Sequence, residues 1–386
     1  MTGGRIRGAN EKRTYGFIRS IRGKRPDSGI LITFIVLMLT GLVVLYSASY
    51  YNALETGSSL KDVISQLIGI LAGAILMLVV WKIDYRALND SRIICGSLIF
   101  SLVLLILVAI PGIGVYLNGS RRWLRLGPIS FQPSEIAKYS MILFMARALS
   151  APKRSINRFF TGLLPLFVIP GIMFVLVLMQ PNLSTAGSIV IVAAVMVMMA
   201  GAKWLHLMLV GITGALVGAY YALSEPYRRA RMISFIDPFK YLSNEGYQLS
   251  QSLIAFGNGG LFGMGLGRGR QKFAFLPYPE SDFIFAVVGE DLGYVGCLFV
   301  LTMFFLFLFY SFRSAIRCPD RFGSILAASI AAMIGVQTVI NIAVVIGIMP
   351  TTGLPLPFFS AGGTSVSVIM GAVGLLMNIS SENKES

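Results

Sequence analysis

Charged residues are scarce in this chain of 386 residues. Only 13% are Asp, Glu, Lys or Arg, and 55% are hydrophobic. Soluble proteins usually contain about 25% charged residues. A mean hydropathy of +0.76 agrees with this shortage. The composition therefore excludes an ordinary soluble enzyme, a disordered protein and a collagen-like or disulfide-rich secreted domain.

Cysteine and histidine are also rare. The three cysteines, Cys95, Cys297 and Cys318, are unclustered and lie in or beside apolar runs. Such spacing indicates neither a disulfide framework nor a zinc site. His206 is the only histidine, which argues against histidine-based catalytic triads and multi-histidine metal sites.

Ten apolar runs are typical of membrane helices, which need about 17–25 residues. Their approximate bounds are 29–49, 63–81, 93–112, 135–149, 162–180, 185–202, 205–223, 283–311, 323–349 and 364–380. The fourth run is short and carries two charged residues. The first run is too long, and its basic leader too extended, for a cleaved signal peptide. We therefore predict an all-α polytopic membrane protein with about ten transmembrane helices.

The distribution of Lys and Arg predicts the orientation. Residues 1–27 contain eight of the 32 basic residues, and basic termini stay in the cytoplasm. Ten spans return the C-terminus to the same side. We predict a cytoplasmic tail at 1–27, a membrane domain at 28–380 and a second cytoplasmic tail at 381–386. Residues 224–282 then form a long extracytoplasmic loop between helices seven and eight.

Several basic residues lie on the predicted outer side, although Lys and Arg usually concentrate in the cytoplasmic segments. Arg121, Arg122 and Arg125 occupy a short outer loop, and seven more Lys and Arg lie in 224–282. Either the flanking segments decide the membrane orientation despite the cations in these loops, or the outer face binds an anion. Guanidinium groups suit phosphate. The net charge of +15 would suggest nucleic acid in a soluble protein. In a membrane protein it indicates topology or an anionic lipid.

The loop 224–282 is too long for a simple connector. It is rich in aromatic residues, and its apolar stretch 252–256 precedes seven glycines between 257 and 269. Such a segment can re-enter the membrane if protein surrounds its backbone. The alternating glycines lack the strand–turn–helix context of a nucleotide loop. We therefore predict close backbone packing or a turn-rich lid.

Asp282 lies where this loop meets the eighth span, after Pro277 and Pro279. Two interpretations remain open from the sequence. The carboxylate could cap the N-terminus of the helix. It is also positioned facing outward beside apolar surface, which suits a general base.

Other polar residues within the spans leave similar alternatives. Glu135 and Lys138 are spaced i,i+3 and share one helix face, as a structural ion pair or as part of a functional site. Glu290 and Asp291 must face the protein interior, where they either pair structurally or act on substrate. The proline within Gln180–Asn182 indicates the end of a helix.

Six motifs together resemble the SEDS family (shape, elongation, division, sporulation), which comprises FtsW, RodA and SpoVE. They follow the family's usual order from about residue 28 onward: Asn118–Trp123, Gln132–Glu135, Gln180–Thr185, Gly246–Leu253, Phe275–Ala286 and Gly353–Ser365. Ser252–Gly257 and Val288–Glu290 look more like the FtsW/SpoVE branch than RodA.

This resemblance implies a peptidoglycan glycosyltransferase that polymerises lipid II at the outer face of the bacterial cytoplasmic membrane, for cell division or spore cortex synthesis. It implies that Asp282 matches the family's essential aspartate and that Glu135 and Lys138 match a polar pair in the central cavity. It also implies a class B penicillin-binding protein as partner, other division or sporulation proteins, and a location at the septum. No nucleic acid partner is expected.

We therefore predict Asp282 as the catalytic residue. We expect lipid II to contact Glu135, Lys138, Arg121, Arg122, Gln132, Asn182, Gln248 and Glu290. The sequence has no dedicated metal constellation, although a divalent cation (Mg²⁺ or Mn²⁺) could share the charge of the diphosphate. In two places the chain departs from the family: Asn182 replaces the usual aspartate, and Glu280-Ser281 replaces the frequent His-Thr.

Two other functions use the same features. A lipid II flippase would use the cavity and cations to move the head group across the bilayer. A non-catalytic scaffold for the penicillin-binding protein would make Asp282 dispensable. It would instead require the lipid-facing surfaces of spans eight and nine.

Overall fold

The structure is a computed structural model that describes residues 25–382, except 57–60, 118–119, 128, 152–155, 157 and 243–245. Most of the two predicted tails therefore lies outside the described residues. The described part is mainly helical, as predicted. Its helices are α1 Ser28–Thr56, α2 Lys61–Lys82, α3 Ser91–Ala109, α4 Pro133–Ser150, α5 Leu164–Leu178, α6 Leu183–Met199, α7 Trp204–Leu223, α8 Pro226–Ile236, α9 Tyr247–Gly259, α10 Gln271–Ala274, α11 Ile284–Arg317, α12 Arg321–Val345 and α13 Gly363–Glu382.

Each predicted span coincides with one of these helices. Eight helices in the described ranges are long and apolar enough to cross a membrane. Of the other two predicted spans, α6 is a shorter apolar helix, and α4 carries Glu135, Lys138 and Arg147. The chain is a membrane protein, and the count of ten crossings stays a prediction.

Local sequence explains several helix starts. The Asp320 carboxylate accepts a hydrogen bond from the Gly323 amide at 2.9 Å and caps α12. Asp90 caps α3 in the same way through Arg92. Pro133 stands in the first turn of α4, where its missing N–H costs nothing.

The core lies between α11, α12 and the helices packed around them. α12 contacts α4, α6 and α11, while α11 also contacts α1 and α9. In contrast, none of the residues Trp204–Tyr221 of α7 is buried inside the protein. This helix packs mainly against α6 and turns most of its surface outward.

The short outer loop contains a small sheet that the sequence did not predict. Strands β1 Gly114–Leu117, β2 Ser120–Leu126 and β3 Ile129–Phe131 form an antiparallel sheet in the order β1-β2-β3. Leu124 packs beneath it against Leu104 and Val108 of α3. The sheet therefore fixes the arginines of β2 relative to the helices.

The long segment 224–282 also has regular structure, because it contains α8, α9 and α10. α9 packs on α11 and α12, and the Ser252 hydroxyl donates to the Val345 carbonyl at 2.7 Å. The prediction of close backbone packing is confirmed. A Cβ at Gly259 would collide with the Gly289 carbonyl, and one at Gly263 with that of Asp291.

α11 is interrupted where this segment meets it. Gly293 has φ +67°, a conformation that favours glycine. The backbone groups released there pair with the glycine-dense segment: Tyr294 N donates to Gly260 O, and Met264 N donates to Glu290 O, both at 2.9 Å. Tyr294 is the first exposed side chain of α11. The outer end of this helix is therefore covered by protein.

Candidate functional site

Asp282 stands in the turn immediately before α11. The helix begins at Ile284 with Phe283 at its N-cap position, so the interpretation of Asp282 as the cap is wrong. Its Oδ1 instead accepts a hydrogen bond from the Ser281 hydroxyl at 3.0 Å. A Cβ at Gly353 would lie 3.2 Å from Oδ2. The carboxylate is therefore held between its own turn and the segment after α12.

The environment of this carboxylate makes it a stronger base than an exposed one. Burial raises the pKa of the Asp282 carboxyl above its ordinary value, because desolvation disfavours the charged form. The Ser281 hydrogen bond and the guanidinium groups of Arg122 and Arg231 lower the pKa and partly oppose this. The residue as a whole is half-buried, and it lies at the boundary between the long segment and α11.

Arg122 and Arg231 act electrostatically on this carboxylate from different elements. Arg122 lies on β2, and its Nε donates to the Gln180 carbonyl at 3.1 Å, with a further bond to the Pro181 carbonyl. Arg231 lies on α8. The structure thus joins one predicted arginine with one of the seven cations of the long loop.

Arg121 is placed differently from its neighbour. Successive residues of a strand point to opposite faces, and the Arg121 guanidinium lies over the Tyr116 ring, 5.6 Å from its centroid. Tyr116 is its partner across the β1–β2 pair. The two adjacent arginines therefore do not form one cationic pair, and Arg121 instead packs on the sheet.

Asn182 is a helix cap. Its Oδ1 accepts a hydrogen bond from the Thr185 amide at 3.2 Å at the start of α6, and the residue is buried. Asparagine and aspartate are about equally good caps. The replacement of the family's usual aspartate therefore preserves this local structure.

Glu135 and Lys138 form a buried ion pair on α4, with 2.8 Å between Nζ and Oε1. The other carboxylate oxygen accepts a hydrogen bond from Ser365 of α13 at 3.0 Å. Gln132, at the start of the same helix, donates to the Ser134 hydroxyl at 2.9 Å. The pair thus presents a desolvated cation and anion inside the bundle, at the junction of α4 and α13.

Gln248 ties α9 to the segment that leads to Asp282. Its Nε2 donates to the Pro277 carbonyl at 3.3 Å. This contact connects α9 with the turn before α11 and leaves Gln248 partly exposed.

Glu290 pairs with backbone groups of the glycine-dense segment. Its Oε1 accepts hydrogen bonds from the Arg270 and Gln271 amides at 2.6 and 2.8 Å. Glu290 therefore anchors the end of the glycine-dense segment to α11. Its contact with substrate stays a prediction.

The neighbouring Asp291 is the centre of a buried polar cluster with Lys272 and Ser47. The Lys272 ammonium contacts Asp291 Oδ2 at 2.6 Å and the Ser47 hydroxyl at 2.7 Å. Ser47 in turn donates to Asp291 Oδ2 at 2.6 Å. The cluster joins α1, α10 and α11, and Lys272 is thus a structural cation and not a free outer charge.

Three further residues shape the site but were not singled out from the sequence. Asn341 and Ser360 hold the backbone around Asp282, and Gly353 faces the carboxylate. Gly353 and Ser360 belong to a family motif. Asn341 lies on the largely apolar α12, one turn after Gln337, and no sequence motif marked it.

No group of three or more His, Cys, Asp or Glu side chains that could hold a metal ion occurs within the described ranges. A divalent cation near Asp282 would therefore need oxygen atoms of the protein's substrate among its ligands.

Comparisons with known proteins agree with these features. The sequence model of the FtsW/RodA/SpoVE family, described as a cell cycle protein, matches residues 28–385. Stage V sporulation protein E of Bacillus subtilis is 40% identical over 357 residues, which cover 92% of this chain and 97% of that protein. A probable peptidoglycan glycosyltransferase FtsW of Geobacter sulfurreducens is 37% identical over 362 residues, covering 94% and 96%.

Solved structures give the same result. A chain from a peptidoglycan synthase complex that coordinates polymerization and crosslinking has a TM-score of 0.76 and 28% identity, with 94% of this chain and 99% of that chain covered. The rod shape determining protein RodA of Thermus thermophilus has a TM-score of 0.69 and 27% identity, covering 94% and 98%. The resemblance inferred from the six motifs is confirmed, and the chain belongs to the FtsW/RodA/SpoVE family.

Proposed function

We propose that this protein is a peptidoglycan glycosyltransferase that polymerises lipid II at the outer face of the bacterial cytoplasmic membrane. The observation that carries the proposal is the Asp282 carboxyl. Its pKa is raised by burial, and two guanidinium groups act on it at the end of an apolar helix bundle. The names of its relatives support this function.

Asp282 acts as the general base in this reaction. Its carboxylate takes the proton of the 4-hydroxyl of the acceptor GlcNAc as that oxygen attacks the anomeric carbon of the donor. The new glycosidic bond forms while the bond from this carbon to the diphosphate oxygen breaks. General-base help contributes about 10²–10⁴-fold to the rate, and a raised pKa brings the base nearer to the working pH.

The leaving group is a polyprenyl diphosphate, so negative charge grows on its oxygens in the transition state. Arg122 and Arg231 supply fixed positive charge beside the base, and such charges stabilise a leaving diphosphate. Guanidinium groups also match phosphate oxygens in geometry. A divalent cation, Mg²⁺ or Mn²⁺, would share the negative charge of the diphosphate.

The buried pair of Glu135 and Lys138 provides a second contact region for lipid II inside the bundle. Gln132 lies at the start of the same helix. We propose that these groups bind polar parts of the substrate while apolar helices contact the polyprenyl tail.

We further propose a class B penicillin-binding protein as the partner that cross-links the new strands, together with other division or sporulation proteins. A similar chain belongs to a complex that coordinates polymerization and crosslinking. Relatives are named for sporulation and as FtsW, and we propose a location at the septum. The eight basic residues of 1–27 support a cytoplasmic position of both termini.

Arg231→Gln tests the proposed role of the second guanidinium. The expected result is a loss of turnover of about 10²-fold. The acid limb of the rate–pH profile should also move to higher pH, because Arg231 lowers the pKa of Asp282. The measurement is glycan strand formation from lipid II by the purified protein, followed over pH.

Arg229→Gln is the matched control, since Arg229 lies on the same helix and is exposed. It removes the same charge and should keep the wild-type rate and pH profile. Equal losses in both variants would show that only the overall charge of α8 matters.

A further inference from the structure

Asn341 links the two backbone segments that enclose the Asp282 carboxylate. It lies on α12 and is 1% exposed. Its Nδ2 donates to the carbonyl of Asp282 at 2.8 Å and to that of Leu354 at 2.7 Å. One amide group thus holds the catalytic turn and the segment after α12 together.

The chemistry of the two contacts requires a donor at this position. Both partners are main-chain carbonyls, which only accept hydrogen bonds. Asn341 Oδ1 is buried and has no hydrogen-bond partner among the residues that the structure describes. An isosteric carboxylate would place negative charge against two carbonyl oxygens.

Other contacts between the same segments show that they form one unit. The Ser360 hydroxyl donates to the Ser281 carbonyl at 2.6 Å and accepts from the Leu356 amide at 2.8 Å. The Ala361 amide donates to the Glu280 carbonyl at 2.7 Å. The backbone immediately before Asp282 is therefore docked onto the segment 353–361, and Asn341 provides the contact at Asp282 itself.

Gly353 places the segment 353–361 directly beside the Asp282 carboxylate. Its φ is +73°, and a Cβ there would lie 3.2 Å from Asp282 Oδ2. Leu354, the second partner of Asn341, is the next residue. A shift of that backbone would therefore change the space around the oxygen that faces it.

We propose that Asn341 is a positioning residue for the general base. It fixes the main chain of Asp282 relative to Gly353 and Leu354, and so aims the carboxylate at the acceptor hydroxyl without touching substrate. This inference rests on the proposed role of Asp282 as the base. Misplacement of a reacting group by about 1 Å can cost about 10²-fold in rate.

The test compares Asn341→Ala with Thr338→Val. Thr338 is buried on the same helix, and its hydroxyl donates to the Ile334 carbonyl within that helix at 2.8 Å. Asn341→Ala should lower kcat by about 10²-fold with little change in KM, because substrate contacts remain. Thr338→Val should keep the wild-type kcat. Thermal unfolding is measured on both.

Asn341→Asp provides a second readout that does not depend on the stability of the alanine variant. In its protonated form this carboxyl can donate one hydrogen bond, and in its ionised form it can donate none. Its activity should therefore fall reversibly as pH rises and give a new alkaline limb that the wild-type protein lacks. The fold should remain intact across that limb.

Two results would overturn the inference. One is a kcat of Asn341→Ala equal to that of Thr338→Val. The other is a loss of kcat that follows the loss of thermal stability, with no alkaline limb in Asn341→Asp, which would indicate a purely structural role. Asp282→Asn is measured in parallel: if it keeps the wild-type kcat, the base assignment itself fails, whatever Asn341 does.

Discussion

Replacing Asp282 by asparagine is expected to lower the rate of glycan strand formation by about 10²–10⁴-fold. The amide has nearly the same shape but cannot take the proton of the acceptor hydroxyl. The measurement is kcat with purified lipid II. Asp237→Asn, an exposed carboxylate of the same long segment, is the control and should keep the wild-type rate.

The same substitution should leave the free energy of unfolding unchanged or higher at neutral pH. Burial raises the pKa of the Asp282 carboxyl, so the folded protein binds this proton more tightly than the unfolded chain. Binding of this proton stabilises the folded protein fully at pH values below the pKa of Asp282 in the unfolded chain. The stabilisation is lost as pH rises through the raised pKa of Asp282 in the folded protein. At neutral pH the ionised carboxylate opposes folding, and the neutral amide of the variant removes that cost. A strong destabilisation by Asp282→Asn would contradict this account of its environment.

Lys272→Met is expected to destabilise the outer part of the protein by about 3–5 kcal/mol, the usual cost of removing one partner of a buried ion pair. The substitution would leave the Asp291 carboxylate buried with only the Ser47 hydroxyl. Protection of the segment 260–272 against hydrogen exchange should fall first, since this segment depends on the cluster. Thermal unfolding in detergent gives the global effect.

Two controls separate the lost pairing from the lost charge. Lys272→Met combined with Asp291→Leu should recover most of the stability, because no unpaired charge remains. Arg86→Gln breaks a pair with Glu382 whose arginine side chain is 49% exposed, and it should cost at most about 1 kcal/mol. A small effect of Lys272→Met, similar to that of Arg86→Gln, would argue against a structural role of the cluster.

Features that depend on one segment of the chain were predictable from the sequence. The apolar runs predicted all the long helices, because burial in a bilayer requires length and apolarity within a single stretch. Asp282 could be identified for the same reason, because its position between a loop and a helix is visible within a single segment of the sequence. The wrong interpretation was its capping role, which depends on a helix start that differs by one residue.

Features that depend on contacts between distant segments were not predictable. Ser47, Lys272 and Asp291 lie in three helices, and only the fold shows that a supposed outer cation neutralises a buried carboxylate. Asn341 and Leu354 approach Asp282 from elsewhere in the chain.

The small sheet was missed for a related reason. Its strands are three to seven residues long, and such short strands carry little periodic signal. As a result Arg121 and Arg122 were both predicted to contact lipid II, although a strand directs them to opposite faces.

The most direct test of the central claim uses the purified protein reconstituted in lipid vesicles with fluorescent lipid II. Glycan strands and movement of lipid II across the bilayer are measured in the same sample, for the wild-type protein and for Asp282→Asn. The account predicts strands from the wild-type protein and a rate of strand formation about 10²–10⁴-fold lower from the variant. Movement of lipid II without any strand, unchanged by Asp282→Asn, would contradict it and identify a transporter.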